Sequence, residues 1–224
     1  MERVISVVLS IAMLMLAVPA SAQTPEVGID IATLPGVQRA VSRTYAFDVA
    51  ALTELLATPS AILRAPRGPL LIVAVAAEFD TPEHAADAAR AIGTTSLGGL
   101  ADEHPALQPD ATPVSDLGDG GVRFGGAGAD ETLAGYVVRD ATWVMIAIVS
   151  STDDSADATA RDIVTYALGH PAGPEGGELH ADGTSQGGPW SKLPTAADED
   201  VLAGATPLLD AVLVPAPGEN TPAT

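Results

Sequence analysis

The chain contains no cysteine, which excludes disulfides, thiolate metal sites, a cysteine nucleophile and a lipid attached through an N-terminal cysteine. Aromatic residues are scarce, with two Trp, three Tyr and three Phe in 224 residues. The hydrophobic fraction is nevertheless 47% and much of it is alanine. A core is therefore affordable, but built from small side chains that each bury little area at about 25 cal/mol per Å². Positive charge is scarce too: ten bases face 29 acids, and Lys192 is the sole lysine. A formal charge of −19 repels phosphate backbones and anionic membrane faces, so nucleic acid is not expected as a partner. Arginine in place of lysine, with a heavy load of Ala, Gly and Pro, points to a GC-rich bacterial genome.

What is present begins with an apolar run over residues 4–18, ended by Pro19 and followed by Ala20-Ser21-Ala22. About fifteen apolar residues fall short of the roughly twenty that span a bilayer. The small-x-small ending is what a signal peptidase reads, so residues 1–22 are expected to be a signal peptide cleaved after Ala22. An uncleaved anchor is the competing reading, because Glu2 offsets Arg3 in the n-region. The cleaved product would be secreted, working outside the cytoplasmic membrane with no stable membrane span.

Residues 23–36 read as a leader and 37–171 as the folded domain. Alternation over 37–47 predicts a strand, although neither side is cleanly apolar. Asp48 can cap a helix carrying Val49, Leu52, Leu55 and Leu56, stopped by Pro59. The unbroken apolar run up to Glu78 predicts a central strand. Thr81-Pro82-Glu83 is a helix start, and Gly93 is its expected end. Residues 94–112 read mostly as loop. Strands follow over 114–117 and 122–124, with 125–130 as a glycine-rich turn, then 132–139 and 142–149 joined by a tight hairpin at Asp140-Ala141. A last helix starts within 151–154 and buries Ala156, Ala160, Ile163, Val164, Ala167 and Leu168.

These elements predict an α+β fold, an antiparallel or mixed sheet with helices packed on one face. The stretch 72–92 matches 143–163 at an offset of 71 residues, Thr81 falling on Thr152 and Arg90 on Arg161. Two pseudo-repeated strand–helix units are a further expectation. Residues 172–189 read as a Gly/Pro-rich linker, and 190–214 as a C-terminal segment docking on the domain or on a partner. Residues 215–224 read as a disordered tail.

Chemistry-bearing motifs are weak. Residues 183–187 match G-x-S-x-G, but a nucleophile elbow needs an apolar strand before the serine and a helix after it. Residues 125–130 match part of a calcium-binding nonapeptide, which needs stacked repeats to complete its shell. A glycine-rich hairpin is the better reading. His84, His104, His170 and His180 show no i, i+4 pairing. No catalytic, metal-binding or cofactor-binding residue is nominated, and no cofactor is expected. Trp190 and Leu193, behind the linker, are the candidate partner-binding residues. They can equally fold back over an open sheet edge.

The run ending in Phe79-Asp80-Thr81-Pro82-Glu83, then Leu117-Gly118-Asp119 and the Arg139-Asp140-x-x-Trp143 hairpin, resembles small extracytoplasmic α+β proteins of GC-rich bacteria. Many of these are lipoproteins or sensor-type domains. The resemblance covers residues 40–169, lacks the lipoprotein cysteine and brings no catalytic residues with it. The function expected is a secreted, non-catalytic binding or sensor-type domain of the cell envelope, not an enzyme, taking a small ligand or an envelope protein. The alternatives are a structural protein acting through its Trp190 segment, and a hydrolase with an unrecognised site.

Overall fold

The computed structural model describes residues 31–47, 68–103, 110–128, 132–170, 192–195, 198–202 and 204–214. The expected signal peptide, the helix expected after Asp48, the linker, Trp190 and the tail lie outside the described residues.

The strands are β1 (Val37–Ala46), β2 (Pro69–Phe79), β3 (Asp110–Val114), β4 (Gly121–Ala127), β5 (Thr132–Asp140), β6 (Trp143–Ser151) and β7 (Thr206–Val214). They form one antiparallel sheet in the order β3-β4-β5-β6-β2-β1-β7. Helices α1 (Pro82–Glu103) and α2 (Ala156–Gly169) pack against it, with a short α3 (Glu199–Leu202) near the C-terminus. The chain is thus an α+β fold on an antiparallel sheet. No helix among the described residues is long and apolar enough to cross a membrane.

The helices do not share a face. Side chains alternate across a strand, and the core divides accordingly into two clusters. Ile72, Ala74 and Ala76 of β2 pack with Ala160, Ile163 and Val164 of α2. Val73, Val75 and Ala77 pack with Ala85, Ala88 and Ile92 of α1. The one-face expectation is corrected for a physical reason. Strands β2 and β6 are apolar without alternation because both of their sides are covered, and every residue of β6 is buried.

The pseudo-repeat fails on the same point. Neighbouring antiparallel strands can be exchanged by a two-fold axis perpendicular to the sheet, which would leave both helices on one side. The connections also differ, since α1 starts at Pro82 straight after β2 whereas α2 waits until Ala156. Thr81 caps α1, its Oγ1 accepting from the His84 amide at 3.2 Å. Thr152 instead clamps the start of β2, donating its amide to the Gly68 carbonyl at 2.9 Å. One residue type at one offset serves two different ends.

Helix α1 also runs past its expected end. Gly93 is buried inside it, where an added Cβ would lie 2.6 Å from Val122 Cγ1 of β4. Its role is close approach to the sheet rather than a left-handed cap. Helix α2 is tied down by charge: Asp157 accepts from Arg123 Nε of β4 and from Tyr136 Oη of β5, the latter at 3.1 Å. Arg161 donates to Asp116 at 2.5 Å.

Candidate functional site

Two places in the fold gather polar side chains beside apolar surface. The first is closed by the chain itself. Arg43 and Tyr45 point from β1 to the face that carries α2, and both are about 1% exposed. Arg43 Nη1 donates to the Leu193 carbonyl at 2.8 Å, and Tyr45 Oη donates to the Pro194 carbonyl. Leu193 and Leu202 enter the same apolar cluster as α2, while β7 continues the sheet beyond β1. Lys192 is buried with its Nζ 5.2 Å from the centre of the Trp143 ring, a cation–π contact. Burial pushes its pKa below the ordinary lysine value. Tyr166 of α2 faces Asp198 here, and burial, followed by that hydrogen bond, raises its pKa to about 12. Of the two residues nominated for partner binding, Leu193 therefore lies inside the chain's own core, 1% exposed. An apolar side chain this close to an uncovered stretch of sheet gains more from burial there than from waiting for a partner.

The second place is open. Between α1 and the turn joining β3 to β4 lies a cleft of about 560 Å³. Its apolar lining comes from Ala86 and Ala89 of α1 with Val114 and Val122 of the strands. Alanines on α1 and the buried Gly93 bring the helix close to β4 without filling this space. Arg90 and Thr94 on the helix, and Ser115, Asp119 and Arg139 across from it, supply the polar groups.

The wall bearing Arg139 is rigid. The Asp119 amide donates to the Arg139 carbonyl at 2.8 Å, and the Arg139 amide donates to the Gly120 carbonyl at 3.0 Å. Gly120 has φ of 100°, a conformation few other residues tolerate. Asp119 Oδ2 accepts from the Ala141 amide at 2.9 Å, which holds the β5–β6 turn, and Ala141 itself sits at φ 51°. The same carboxylate is 3.4 Å from Arg139 Nη1, longer than a good hydrogen bond. Arg90, on the opposite side, is 73% exposed and bonded only one helical turn away, to Asp87 at 2.6 Å.

The cleft's polar groups are two guanidiniums, one carboxylate and two hydroxyls. Its lining includes the hydroxyls of Thr94 and Ser115 but no histidine or lysine to act as their base. Among the described residues no group of three or more His, Cys, Asp or Glu could hold a metal. Two of the four histidines lie among the described residues. His84 pairs with Asp80 at 2.6 Å, and His170 stacks on Tyr166 with ring centroids 3.8 Å apart. His104, His180 and the G-x-S-x-G stretch lie outside the described residues. Gly125 and Gly126 belong to β4 rather than to a turn. Comparison with protein-family models and with curated protein sequences finds no match for the chain.

Reading the sequence alone passed over this cleft. Its arginines lie about fifty residues apart, on elements that only the tertiary fold brings together. The usable signal was rarity, because in a chain with so few bases each arginine outside an obvious ion pair marks a position to watch.

Proposed function

We propose that this chain is an extracytoplasmic, non-catalytic binding domain that takes a small ligand with an apolar body in the cleft between α1 and the β3–β4 turn. The cleft is the observation that carries the reading. Its volume of about 560 Å³ lies in the range of small-molecule sites, roughly 300–1,000 Å³. Its apolar lining with a few polar groups at fixed positions is the usual composition of such sites. The apolar run over residues 4–18 and the Ala20-Ser21-Ala22 ending support export.

The test is thermal unfolding of the full-length chain with eight-carbon probes bearing neutral, anionic or cationic head groups. A ligand at a hundred times its dissociation constant adds about 2.7 kcal/mol, or roughly 5–10 °C for a chain of this size. Stabilisation by any of the probes, lost in Val122→Asp, supports the reading. No shift with any head group, or a shift that Val122→Asp leaves intact, overturns it.

A further inference from the structure

We propose that the ligand of this cleft is a small organic anion, its acid group met by Arg139 and Arg90 while its apolar body lies over Ala86, Ala89 and Val122. The inference rests on the binding reading above and deepens it by naming the ligand's chemistry.

The argument starts from charge. Acids outnumber bases by 29 to 10 over the whole chain. In the lining of the cleft the balance reverses, with two arginines and one aspartate, and Asp87 beside Arg90 brings it only to even. The four other described arginines are committed elsewhere in the fold. Arg43 is buried against carbonyls of residues 193 and 194. Arg123 and Arg161 hold α2 to the sheet and to the β3–β4 turn, through Asp157 and Asp116. Arg39 pairs with Glu78 across the β1–β2 ladder.

The two cleft arginines are bound less firmly into the fold than these. Arg90 is mostly exposed and its partner Asp87 belongs to the same helix, so the pair links no separate elements. An exposed pair of this kind contributes little to stability. Arg139 is only 27% exposed and stands on the rigid wall, 3.4 Å from Asp119. That carboxylate is already engaged with the Ala141 amide. A guanidinium has five donors in a planar fork, and a single contact at this length leaves most of them for an incoming acid group. Charge-assisted bonds from arginine are the strong, geometrically defined ones that fix a ligand's orientation. A cationic head group would meet both arginines and is disfavoured.

Isothermal titration of the full-length chain with octanoate, 1-octanol, octylamine and inorganic phosphate tests this. Octanoate is expected to bind about tenfold tighter than octanol, the scale of one charge-assisted hydrogen bond. Phosphate without an apolar body is expected to bind more weakly than octanoate. Arg139→Gln and Arg90→Gln should each reduce the preference for octanoate over octanol. Arg90→Gln lies on an exposed helix surface, so it tests the idea even if Arg139→Gln fails to fold. Asp119→Asn should tighten octanoate, because it removes the competing carboxylate while its side-chain oxygen can still accept from the Ala141 amide. Octanol equal to or tighter than octanoate, or octylamine tightest of all, overturns the anion inference and leaves the binding reading standing. Phosphate as tight as octanoate overturns the role of the apolar body. Octanoate preference unchanged in Arg90→Gln and in a folded Arg139→Gln overturns the assigned contacts. Failure of all three eight-carbon probes overturns the binding reading itself.

Discussion

On the face of the sheet beneath α2, charged groups are buried and covered. Arg43 and Lys192 are both within a few per cent of full burial, Arg43 against the carbonyls of Leu193 and Pro194 and Lys192 against the Trp143 ring. On the face beneath α1 no charged side chain among the described residues is buried. Arg139, the arginine that the described strands present on that side, stands at the wall of a cleft instead. Both faces rest on the same two central strands, so the difference comes from the cover. One side has a helix and a returning segment with backbone carbonyls to offer. The other has a helix of alanines pressed close to β4 by Gly93, while residues 31–34 cover its β1 end. A carbonyl-bearing segment can satisfy a buried guanidinium, whereas a small-residue helix cannot, and there the guanidinium stays at the surface.

The sharpest way to break this comparison is to cut into each cover. Leu193→Ala removes a fully buried side chain from beneath the returning segment and should cost about 2–5 kcal/mol. Ile92→Ala on the α1 side falls in the same class, but Ile92 is 4% exposed against 1% for Leu193. The smaller loss is expected at Ile92, because α1 can settle into the space. Urea denaturation of the two variants decides this. Equal losses would mean that the two covers are equally rigid.

A second cut is subtler. Tyr45→Phe keeps the ring but deprives the Pro194 carbonyl of its Oη donor. Arg43 Nη1 stays 3.4 Å from that carbonyl, so the loss should be that of one hydrogen bond, about 0.5–1.5 kcal/mol. A loss near zero would show that the segment is held by its apolar contacts alone, and the contrast between the faces would then reduce to helix against helix.

Glycine-to-alanine changes sharpen the comparison at lower energy. At Gly169, the last residue of α2, an added Cβ meets nothing within 4 Å, so Gly169→Ala should stabilise by about 0.4–1 kcal/mol through the unfolded state. At Gly93 the same gain in helix propensity, about 1 kcal/mol, meets a Cβ only 2.6 Å from Val122 Cγ1. Overpacking costs about 1–3 kcal/mol, and Val122 is β-branched with little rotamer freedom. The net effect should be destabilising by about 1 kcal/mol, read from the urea midpoint. Stabilisation at both sites would mean that α1 is not pressed against β4.

Much of this architecture was legible in the sequence. The alternation and turn residues of 132–149 led to the β5–β6 hairpin, and Thr81-Pro82-Glu83 to the start of α1. The error over the helices had its correction in plain view, since strands apolar at every position require cover on both sides. Gly93 misled because a glycine late in an alanine stripe reads equally as a cap or as a point of close approach. Only the position of Val122, 29 residues further on, separates the two. The cleft was illegible for a related reason. Nothing local to Arg90 or Arg139 distinguishes an arginine that ties elements together from one that does not, and that distinction exists only after the chain has folded.

The smallest effect lies at the start of α1, where His84 and Asp80 pair at 2.6 Å, both about two-fifths exposed. The hydrogen bond that Asp80 accepts raises the pKa of His84 above its ordinary 6.5, with the charges of Asp80, Asp87 and Glu83 adding to it. The same bond holds Asp80 below its ordinary 3.8. The histidine's contribution to stability is complete below pH 6.5 and is lost as pH rises through its raised value. The aspartate's is complete above pH 3.8 and is lost as pH falls through its lowered one. The pair therefore supports α1 best between those two values, on the face that has no buried charge to do so. An NMR titration of the His84 ring should find it above 6.5, and Asp80→Asn should bring it back towards that value. A His84 that stays high without Asp80 would owe its shift to the acids around it, and the start of α1 would then be anchored by Thr81 and the apolar stripe alone.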